Sequence, residues 1–268
     1  MRKLLEFLQG NQRETPGGHL PCLVTRHPRN PNEEGGLPGK RPACAWRGVT
    51  AQDTRDGLSV PESSRDDNPM MQPDFLETAQ RAAGAAVEVL RSSGVPRTVQ
   101  HKSRRDLVTD VDVEAQREVF RIITSAFPEH SVLGEESPPP TGIRPEFLWV
   151  VDPLDGTTNF AHGVPFYCVS VALLRHGVPQ VGVVWDPVRD ECFAARAGSG
   201  GTCNGAALRV RATEHPEDGL MACSFAAEVA KESLEGRRFL TMLPHARAVR
   251  RMGSSALNLA YVAAGRFD

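Results

Sequence analysis

Two aspartates follow a hydrophobic run and stand three positions apart in the segment Trp-Val-Val-Asp-Pro-Leu-Asp-Gly-Thr-Thr-Asn-Phe, residues 149–160. The run predicts a buried strand that delivers Asp152 and Asp155 onto a turn. Gly156 and Thr157 follow at once, so the backbone N–H groups of a helix start would lie beside carboxylate oxygens. Hard oxygen ligands hold divalent cations, and the first amides of a helix bind phosphate. The segment therefore predicts a joint site for a cation and a phosphate.

Two further acidic clusters lie upstream of this segment. Asp106, Asp110 and Asp112 precede a predicted helix, whereas Glu135 and Glu136 follow a short predicted strand. Each cluster stands at the edge of a regular element, where loops can converge on one cleft. Two unit charges about 4 Å apart repel by roughly 4 kcal/mol at an effective dielectric near 20, so grouped carboxylates favour a shared cation. We expect Mg²⁺ rather than a proton relay.

Each cluster also has a simpler interpretation. An isolated Asp-x-x-Asp is a common turn, and a Glu pair after a strand usually lies in a solvated loop. Asp110 or Asp112 could cap the second helix, and for Asp110 capping is the preferred interpretation. The occurrence of all three clusters in this order favours the metal site.

Hydrophobic periodicity begins at Asp74, where a capping-box pattern opens a helix that Gly94 and Pro96 end. A second helix is predicted over about residues 112–126, and a last one over 254–264. Strands are predicted over residues 131–134, 147–151, 167–175, 180–185, 191–195, 207–210 and 220–225. The order of elements indicates helices and a mixed sheet arranged in layers.

Composition argues against several classes of protein. The net charge of −2 gives no reason to expect a nucleic-acid partner or an anionic membrane surface. No apolar run approaches the roughly 18 residues that would span a bilayer, and Glu6 interrupts the start of the chain before a signal peptide can form. The 6 scattered cysteines contain no C-x-x-C pair, which predicts reduced thiols and a cytoplasmic location.

Residues 1–70 differ from the rest of the chain. They are rich in Pro and Gly, contain no Ile or Tyr, and lack hydrophobic periodicity. Such a segment buries too little apolar surface to offset its ordering entropy, which predicts a disordered extension. An equally weighted alternative is upstream sequence translated from an early start, with Met70 or Met71 as the natural beginning.

The run at residues 152–160 resembles the signature of the inositol monophosphatase family. Gly-Glu-Glu-Ser at 134–137 and the segment 106–112 match two upstream motifs of that family in the same order, and the similarity runs from about residue 74 to 268. The resemblance implies an α/β layered sandwich of the αβαβα, carbohydrate-phosphatase-like type. It also implies a lithium-sensitive phosphatase that hydrolyses small phosphate monoesters with Mg²⁺.

The same resemblance implies a metal role for four residues. Glu135, Asp152 and the Leu154 carbonyl would hold a first Mg²⁺, and Asp152 and Asp155 would contribute to a second. The resemblance also assigns Glu135 to the catalytic residues.

Catalysis and phosphate binding are assigned by resemblance as well. Asp112 and Thr157 would orient the attacking water. The amides of Gly156, Thr157 and Thr158 would receive the phosphate, and Lys102 matches the basic residue of the family near the site.

The substrate implied is a small phosphorylated polyol or sugar, with inositol 1-phosphate first. Fructose bisphosphate, histidinol phosphate and nucleotide phosphates remain alternatives. A homodimer is expected because the family often forms dimers.

The sequence departs from the family at a further Trp-Asp motif, whose aspartate completes the second metal site. Trp185 and Asp186 do not replace it, because this pair predicts a turn after a hairpin strand. We expect a C-terminally truncated form with an N-terminal α+β domain over 71–212 and an incomplete C-terminal α/β domain over 213–268. The alternatives are a catalytically impaired binding or regulatory protein on the same scaffold, and a fragment that cannot fold stably.

Four other residues have weaker assignments. His162 lies beside the site loop and could touch substrate, and Ser254 or Ser255 could line the substrate pocket by resemblance. Cys168 alternates inward on a predicted strand and is assigned to the core.

Overall fold

A computed structural model describes residues 73–94, 99–103, 106–135, 137, 145–225 and 233–268. The predicted extension over residues 1–70 lies outside the described residues, and so does Glu136. None of the helices in these ranges is both long and apolar enough to cross a bilayer.

Two amphipathic helices open the fold. Helix α1 (Phe75–Ser93) begins at Asp74, whose side chain accepts hydrogen bonds from the N–H groups of Leu76 and Glu77, as the capping pattern predicts. A hairpin of β1 (Val99–Ser103) and β2 (Asp106–Thr109) follows. Helix α2 (Asp110–Ala126) then buries an apolar stripe that includes Ala115, Val119 and Ile123.

The start of α2 corrects one prediction. Thr109, and not Asp110, is the N-cap, and Asp110 is the first helical residue. Thr109 and Asp112 form a reciprocal capping box, in which the Asp112 side chain accepts a hydrogen bond from the Thr109 N–H. Asp110 is exposed, whereas Asp112 is 4% exposed. A buried carboxylate needs these donors, and this requirement sets the helix start at Thr109.

Seven strands form one sheet in chain order: β3 (Ser131–Gly134), β4 (Phe147–Asp155), β5 (Cys168–Arg175), β6 (Val178–Asp186), β7 (Glu191–Arg196), β8 (Gly200–Cys203) and β9 (Ala206–Ala207). β3 and β4 run parallel, with Gly134 opposite Val151, and the later strands are antiparallel neighbours. Because parallel strands end at the same edge, the segments that follow β3 and β4 lie side by side.

Helices cover both faces of this sheet. Alternate residues of a strand point to opposite faces, so Val169 packs against α1 and α2 while Cys168 faces the last helix, α5 (Ser255–Ala263). Trp149 is fully buried in the first core, and Leu257 is fully buried in the second. The predicted α/β layered sandwich is therefore confirmed.

Residues 213–268 add a smaller α/β segment. β10 (Leu220–Ala222) and β11 (Ala248–Arg250) pair in parallel, and α4 (Leu234–Met242) lies between them in the chain. The predicted domain boundary between residues 212 and 213 stays a prediction.

Several predicted boundaries were wrong. The strand predicted over 207–210 ends at Ala207, and β8 was not predicted as a strand. The β1–β2 hairpin and α4 were also not predicted, because their sequences show no clear hydrophobic periodicity. The predicted turn after β6 is confirmed, because Asp186 accepts hydrogen bonds from the Val188 and Arg189 N–H groups.

Candidate metal and phosphate site

Strand β4 carries the two aspartates of the signature segment out of the core. Its pairing with β5 shifts register between Asp152 and Asp155, so the strand is irregular where the carboxylates lie. The Leu154 side chain is 1% exposed, and its N–H donates to Asp152 Oδ1 at 3.3 Å. Burial of Leu154 between the two aspartates holds the turn against the core.

Glu135 joins these aspartates through the parallel pairing of β3 with β4. Its backbone N–H donates to the Val151 carbonyl at 3.1 Å and extends the ladder by one residue. The charge of Glu135 acts on the Asp152 carboxyl group, so the two acidic side chains lie close together. The structure thus brings together two acidic clusters that are separate in the sequence.

The acidic cluster is electrostatically unfavourable as it stands. Burial, then the charges of Glu135 and Asp155, raise the pKa of Asp152 well above its usual range. Part of the Asp152 residue reaches solvent, but its carboxyl group is enclosed by protein. Like charges beside a buried carboxyl group disfavour its ionised form, and a cation would reverse that effect.

Asp155 faces the start of α5. Burial raises the pKa of its carboxyl group, whereas hydrogen bonds from Ser254 and from the Ala256 N–H act in the opposite direction. Both of these bonds reach Asp155 Oδ2 at 2.7 Å. The last helix therefore contributes directly to the environment of a predicted metal ligand.

Asp112 and Thr157 also meet at the site, although 45 positions separate them. The Thr157 hydroxyl lies 3.1 Å from Asp112 Oδ1 and 3.0 Å from the Leu154 carbonyl oxygen. Asp112 Oδ2 accepts hydrogen bonds from the Thr109 N–H and hydroxyl. Because a carboxylate is the stronger acceptor, the single Thr157 proton is best donated to Asp112, which leaves the Thr157 oxygen able to accept from water.

Gly156 makes the turn between β4 and the short helix α3 (Thr157–Ala161). Its φ of +107° favours glycine, and an added Cβ would lie 3.1 Å from both the Phe166 carbonyl oxygen and the Tyr167 Cβ. No side chain caps α3, so its first amides have no partner within the helix. Thr158, the second residue of α3, is exposed.

The other predicted site residues fall in different places. Lys102 lies on β1 and Asp106 on β2, but the structure describes only the backbone of these two residues. Ser254 is fully buried and cannot line a pocket, whereas Ser255 is half-buried at the first turn of α5. His162 is exposed beyond the end of α3, where it lines a cavity of about 710 Å³. The prediction that Cys168 lies in the core is confirmed.

Asn159 is a structural residue of the site that sequence reasoning missed. Its side-chain amide donates to the Phe166 carbonyl at 2.7 Å and to the Met252 carbonyl at 2.8 Å. Gly253, with φ +93°, packs so closely that a Cβ there would lie 2.7 Å from the Asn159 Nδ2. These contacts tie α3 to the segment before α5. A polar side chain in a short helix gave no local signal of this role.

The donor set fits a hard divalent cation by type and charge. Carboxylates and a backbone carbonyl are the oxygen ligands that Mg²⁺ takes, and the Leu154 carbonyl keeps a second lone pair beside its contact with Thr157. Within the described ranges, no three His, Cys, Asp or Glu side chains already surround a point that could hold an ion.

The chain is similar to known proteins over most of its length. Residues 71–268 match the model of the inositol monophosphatase family. The chain is 39% identical over 207 residues to the Nus factor SuhB of Pseudomonas aeruginosa, covering 74% of this chain and 76% of that protein. It is 38% identical over 205 residues to an inositol monophosphatase of Mesembryanthemum crystallinum, covering 73% of this chain and 74% of that protein.

Solved structures agree with these matches. The inositol monophosphatase of Anabaena (Nostoc) superposes with a TM-score of 0.62 at 40% identity, covering 72% of each chain. A structure described as an IMPase/NADP phosphatase complexed with Mg²⁺ and phosphate superposes with a TM-score of 0.56 at 29% identity, covering 63% of each chain. The second protein holds both a divalent cation and a phosphate.

Proposed function

The chain belongs to the inositol monophosphatase family, and from that premise we propose that it uses Mg²⁺ to hydrolyse a small phosphate monoester, with inositol 1-phosphate as the leading substrate. The protein is a phosphoric monoester hydrolase, as its family and relatives indicate. The particular ester and the role of each residue are the parts that need a test.

Mg²⁺ would be held first by Glu135, Asp152 and the Leu154 carbonyl, with Asp152 and Asp155 contributing to a second position. The cation would supply positive charge for the phosphoryl and leaving oxygens and would lower the pKa of a bound water. The environment of Asp152 supports this assignment, because burial and then the charges of Glu135 and Asp155 raise the pKa of its carboxyl group. The relative that holds Mg²⁺ and phosphate supports it independently.

The remaining site residues have roles that follow from their hydrogen bonds. The amides of Gly156, Thr157 and Thr158 would receive the phosphate, because amides that begin a helix lack partners within it. A water donating to the Thr157 hydroxyl would be oriented by the bond from that hydroxyl to Asp112, 3.1 Å away. Lys102 is proposed as a basic group near the phosphate.

The substrate is proposed as a phosphorylated polyol or sugar on the strength of the relatives. Several of them are named inositol monophosphatases, and one solved relative was crystallised with inositol monophosphate. Relatives described as NADP phosphatases keep nucleotide phosphates as an alternative, beside fructose bisphosphate and histidinol phosphate.

Three further properties stay predictions. They are a homodimer, a cytoplasmic location and the absence of a nucleic-acid partner. All four cysteines in the described part of the chain are free thiols, which is compatible with a reducing compartment. Lithium sensitivity is proposed by likeness to a relative described as an inhibitory LiCl complex.

The observation that carries the proposal is the clustering of Glu135 with Asp152 at the ends of two parallel strands. Phosphate release from a panel of esters should be measured with and without Mg²⁺. Asp152→Asn should reduce turnover to below about one-hundredth of wild type, since losing a ligand costs more than losing an outer hydrogen-bonding partner. Asp218→Asn, which alters an exposed carboxylate paired with Arg247, is the matched control and should keep full activity.

Equal turnover in wild type and Asp152→Asn would contradict the proposal. A folded chain that binds Mg²⁺ but releases no phosphate from any ester would favour the alternative of a binding or regulatory protein.

A further inference from the structure

The Asp155 carboxylate is held on one side only. Its Oδ2 accepts two hydrogen bonds of 2.7 Å, one from the Ser254 hydroxyl and one from the Ala256 N–H. Its Oδ1 has no hydrogen-bond partner among the described residues. Two donors on a single oxygen fix both the position and the rotation of the carboxylate, so Oδ1 remains as the oxygen that can bind a ligand.

Ser254 itself has no freedom to turn away. It is fully buried, its hydroxyl oxygen accepts from the Leu257 N–H at 3.3 Å, and the Cys168 Sγ lies 3.4 Å from it. The Leu257 amide can only donate, and the Asp155 carboxylate is the strongest acceptor nearby, so the single hydroxyl proton points to Asp155. With that proton committed to Asp155, the Cys168 thiol can donate to the Ser254 oxygen at 3.4 Å or to Asp155 Oδ2 at 4.0 Å.

These contacts give the hydroxyl two functions at once. As the N-cap of α5 it satisfies a free amide of the helix, and as a donor it orients a carboxylate 99 positions earlier in the chain. The helix start and the acidic cluster are therefore connected through a single oxygen atom. A side chain without a hydroxyl at position 254 would leave Asp155 Oδ2 with the Ala256 amide and the weak, 4.0 Å contact of the Cys168 thiol.

We propose that Ser254 is a positioning residue that holds the Asp155 carboxylate in the orientation required to bind a divalent cation. The inference rests on the proposed function, because it assigns a role within the same site. Ser254 does not touch substrate, since it is buried behind Asp155, and this replaces its predicted place in the substrate pocket.

The effect of removing the hydroxyl should appear in metal affinity. Hydrogen-bonding partners of metal ligands typically contribute about tenfold to a hundredfold in affinity. Ser254→Ala should therefore raise the Kd for Mg²⁺ by about tenfold or more. Ser254→Thr keeps the hydroxyl and should retain an affinity close to that of wild type.

The matched control is Ser233→Ala. Ser233 caps α4 as Ser254 caps α5, with its hydroxyl oxygen accepting from the Gly236 N–H at 3.1 Å. Among the described residues, however, α4 donates no hydrogen bond to Asp152 or Asp155. Loss of an N-cap lowers the melting temperature in both variants. Only Ser254→Ala should also weaken Mg²⁺ binding, which a purely structural role would not predict.

The measurement is calorimetric titration of the metal-free full chain with Mg²⁺, together with the rise in melting temperature that Mg²⁺ produces. An unchanged Kd in Ser254→Ala would overturn the proposal, as would equal weakening in Ser233→Ala. If Ser254→Ala does not fold, Ser254→Cys decides the question. A thiol is similar in size but a weak donor, so its Kd should rise whereas that of Ser254→Thr should not.

The same experiment separates this inference from the function on which it rests. Wild type that binds no Mg²⁺ would overturn both. Wild type that binds Mg²⁺ and hydrolyses no ester would overturn the proposed activity and leave the positioning role intact. Wild type that is active while Ser254→Ala and Ser254→Cys keep its Mg²⁺ affinity would overturn only the positioning role.

Discussion

Trp149 donates its indole N–H to His130 Nδ1 at 3.0 Å, so the imidazole must present an unprotonated nitrogen to a fully buried tryptophan. The His130 ring is stacked between Phe127 and Phe147, with centroid distances of 4.7 and 4.4 Å. Burial lowers the pKa of His130, and the charge of Glu146 opposes this only in part.

This bond predicts a loss of stability in mild acid. The folded protein disfavours the protonated imidazole, so the unfolded chain binds the proton first as the pH falls below about 6.5. The contribution of His130 is complete above that pH and is lost between it and the lower pKa of the folded state. Urea unfolding followed from pH 8 to 5 should show a decline that His130→Gln reduces. His245→Gln, at an exposed site, should leave the decline unchanged.

Thr157 and Asp112 should act as one unit in catalysis. Asp112→Asn and Thr157→Val should each lower kcat by about a hundredfold to ten-thousandfold, because each breaks the path from water through the hydroxyl to the carboxylate. The double variant should lose little more than either single variant, since both remove the same function. Steady-state kinetics at saturating Mg²⁺ would measure this, with exposed Thr241→Val as the control. Additive losses in the double variant would refute the coupling.

Gly156→Ala should destabilise the protein both by backbone strain and by steric overlap. The same substitution at Gly198, where only the strain applies, separates the two effects. Its φ of +107° is unfavourable for alanine, and the new Cβ would meet Phe166 and Tyr167 atoms at 3.1 Å. Gly198 has φ +77°, and an added Cβ there would have no atom within 4 Å, so Gly198→Ala reports backbone strain alone. We expect about 1 kcal/mol for Gly198→Ala and about 2–3 kcal/mol for Gly156→Ala in denaturant unfolding. Equal losses would exclude the steric contribution.

Arg266 should depend on its planar guanidinium and not on its charge alone. It donates to both Glu191 carboxylate oxygens and lies over the Tyr261 ring, with 4.5 Å to the ring centroid. A lysine cannot donate to both Glu191 oxygens from one planar group, so Arg266→Lys should cost about 1–2 kcal/mol in unfolding free energy. Arg247→Lys, in an exposed pair with Asp218, should cost less than about 1 kcal/mol.

The ion pair between Arg266 and Glu191 should also affect how the unfolding free energy depends on pH in acid. The hydrogen bond from Arg266 lowers the pKa of Glu191, so its stabilisation is present above about 4.5 and is lost as the pH falls below that value. Arg266→Lys should show a weaker decline in unfolding free energy between pH 5 and 3 than wild type. Identical acid profiles would show that the planar guanidinium adds nothing to the effect of its positive charge on Glu191.

Local sequence was sufficient to predict the elements that carry the candidate ligands. Strand β4 is a continuous apolar run, and β3 is bounded by clear turn residues, so Glu135, Asp152 and Asp155 were predicted to stand at strand ends. The prediction that Asp110 caps α2 was wrong, because Thr109 is an equally good N-cap residue one position earlier in the sequence. Only burial of Asp112 in the folded chain distinguishes the two.

The sequence by itself determined which oxygen atoms are available and the strands and helices that deliver them, because residue type and hydrophobic period act over a few positions. Only the tertiary structure decided that Ser254 orients Asp155 and that Asn159 joins α3 to the Met252 carbonyl. These partners are separated by 99 and 93 positions in the chain. A hydrogen bond across such a separation leaves no periodic trace, since it depends on how two layers of the fold pack and not on the residues beside each partner.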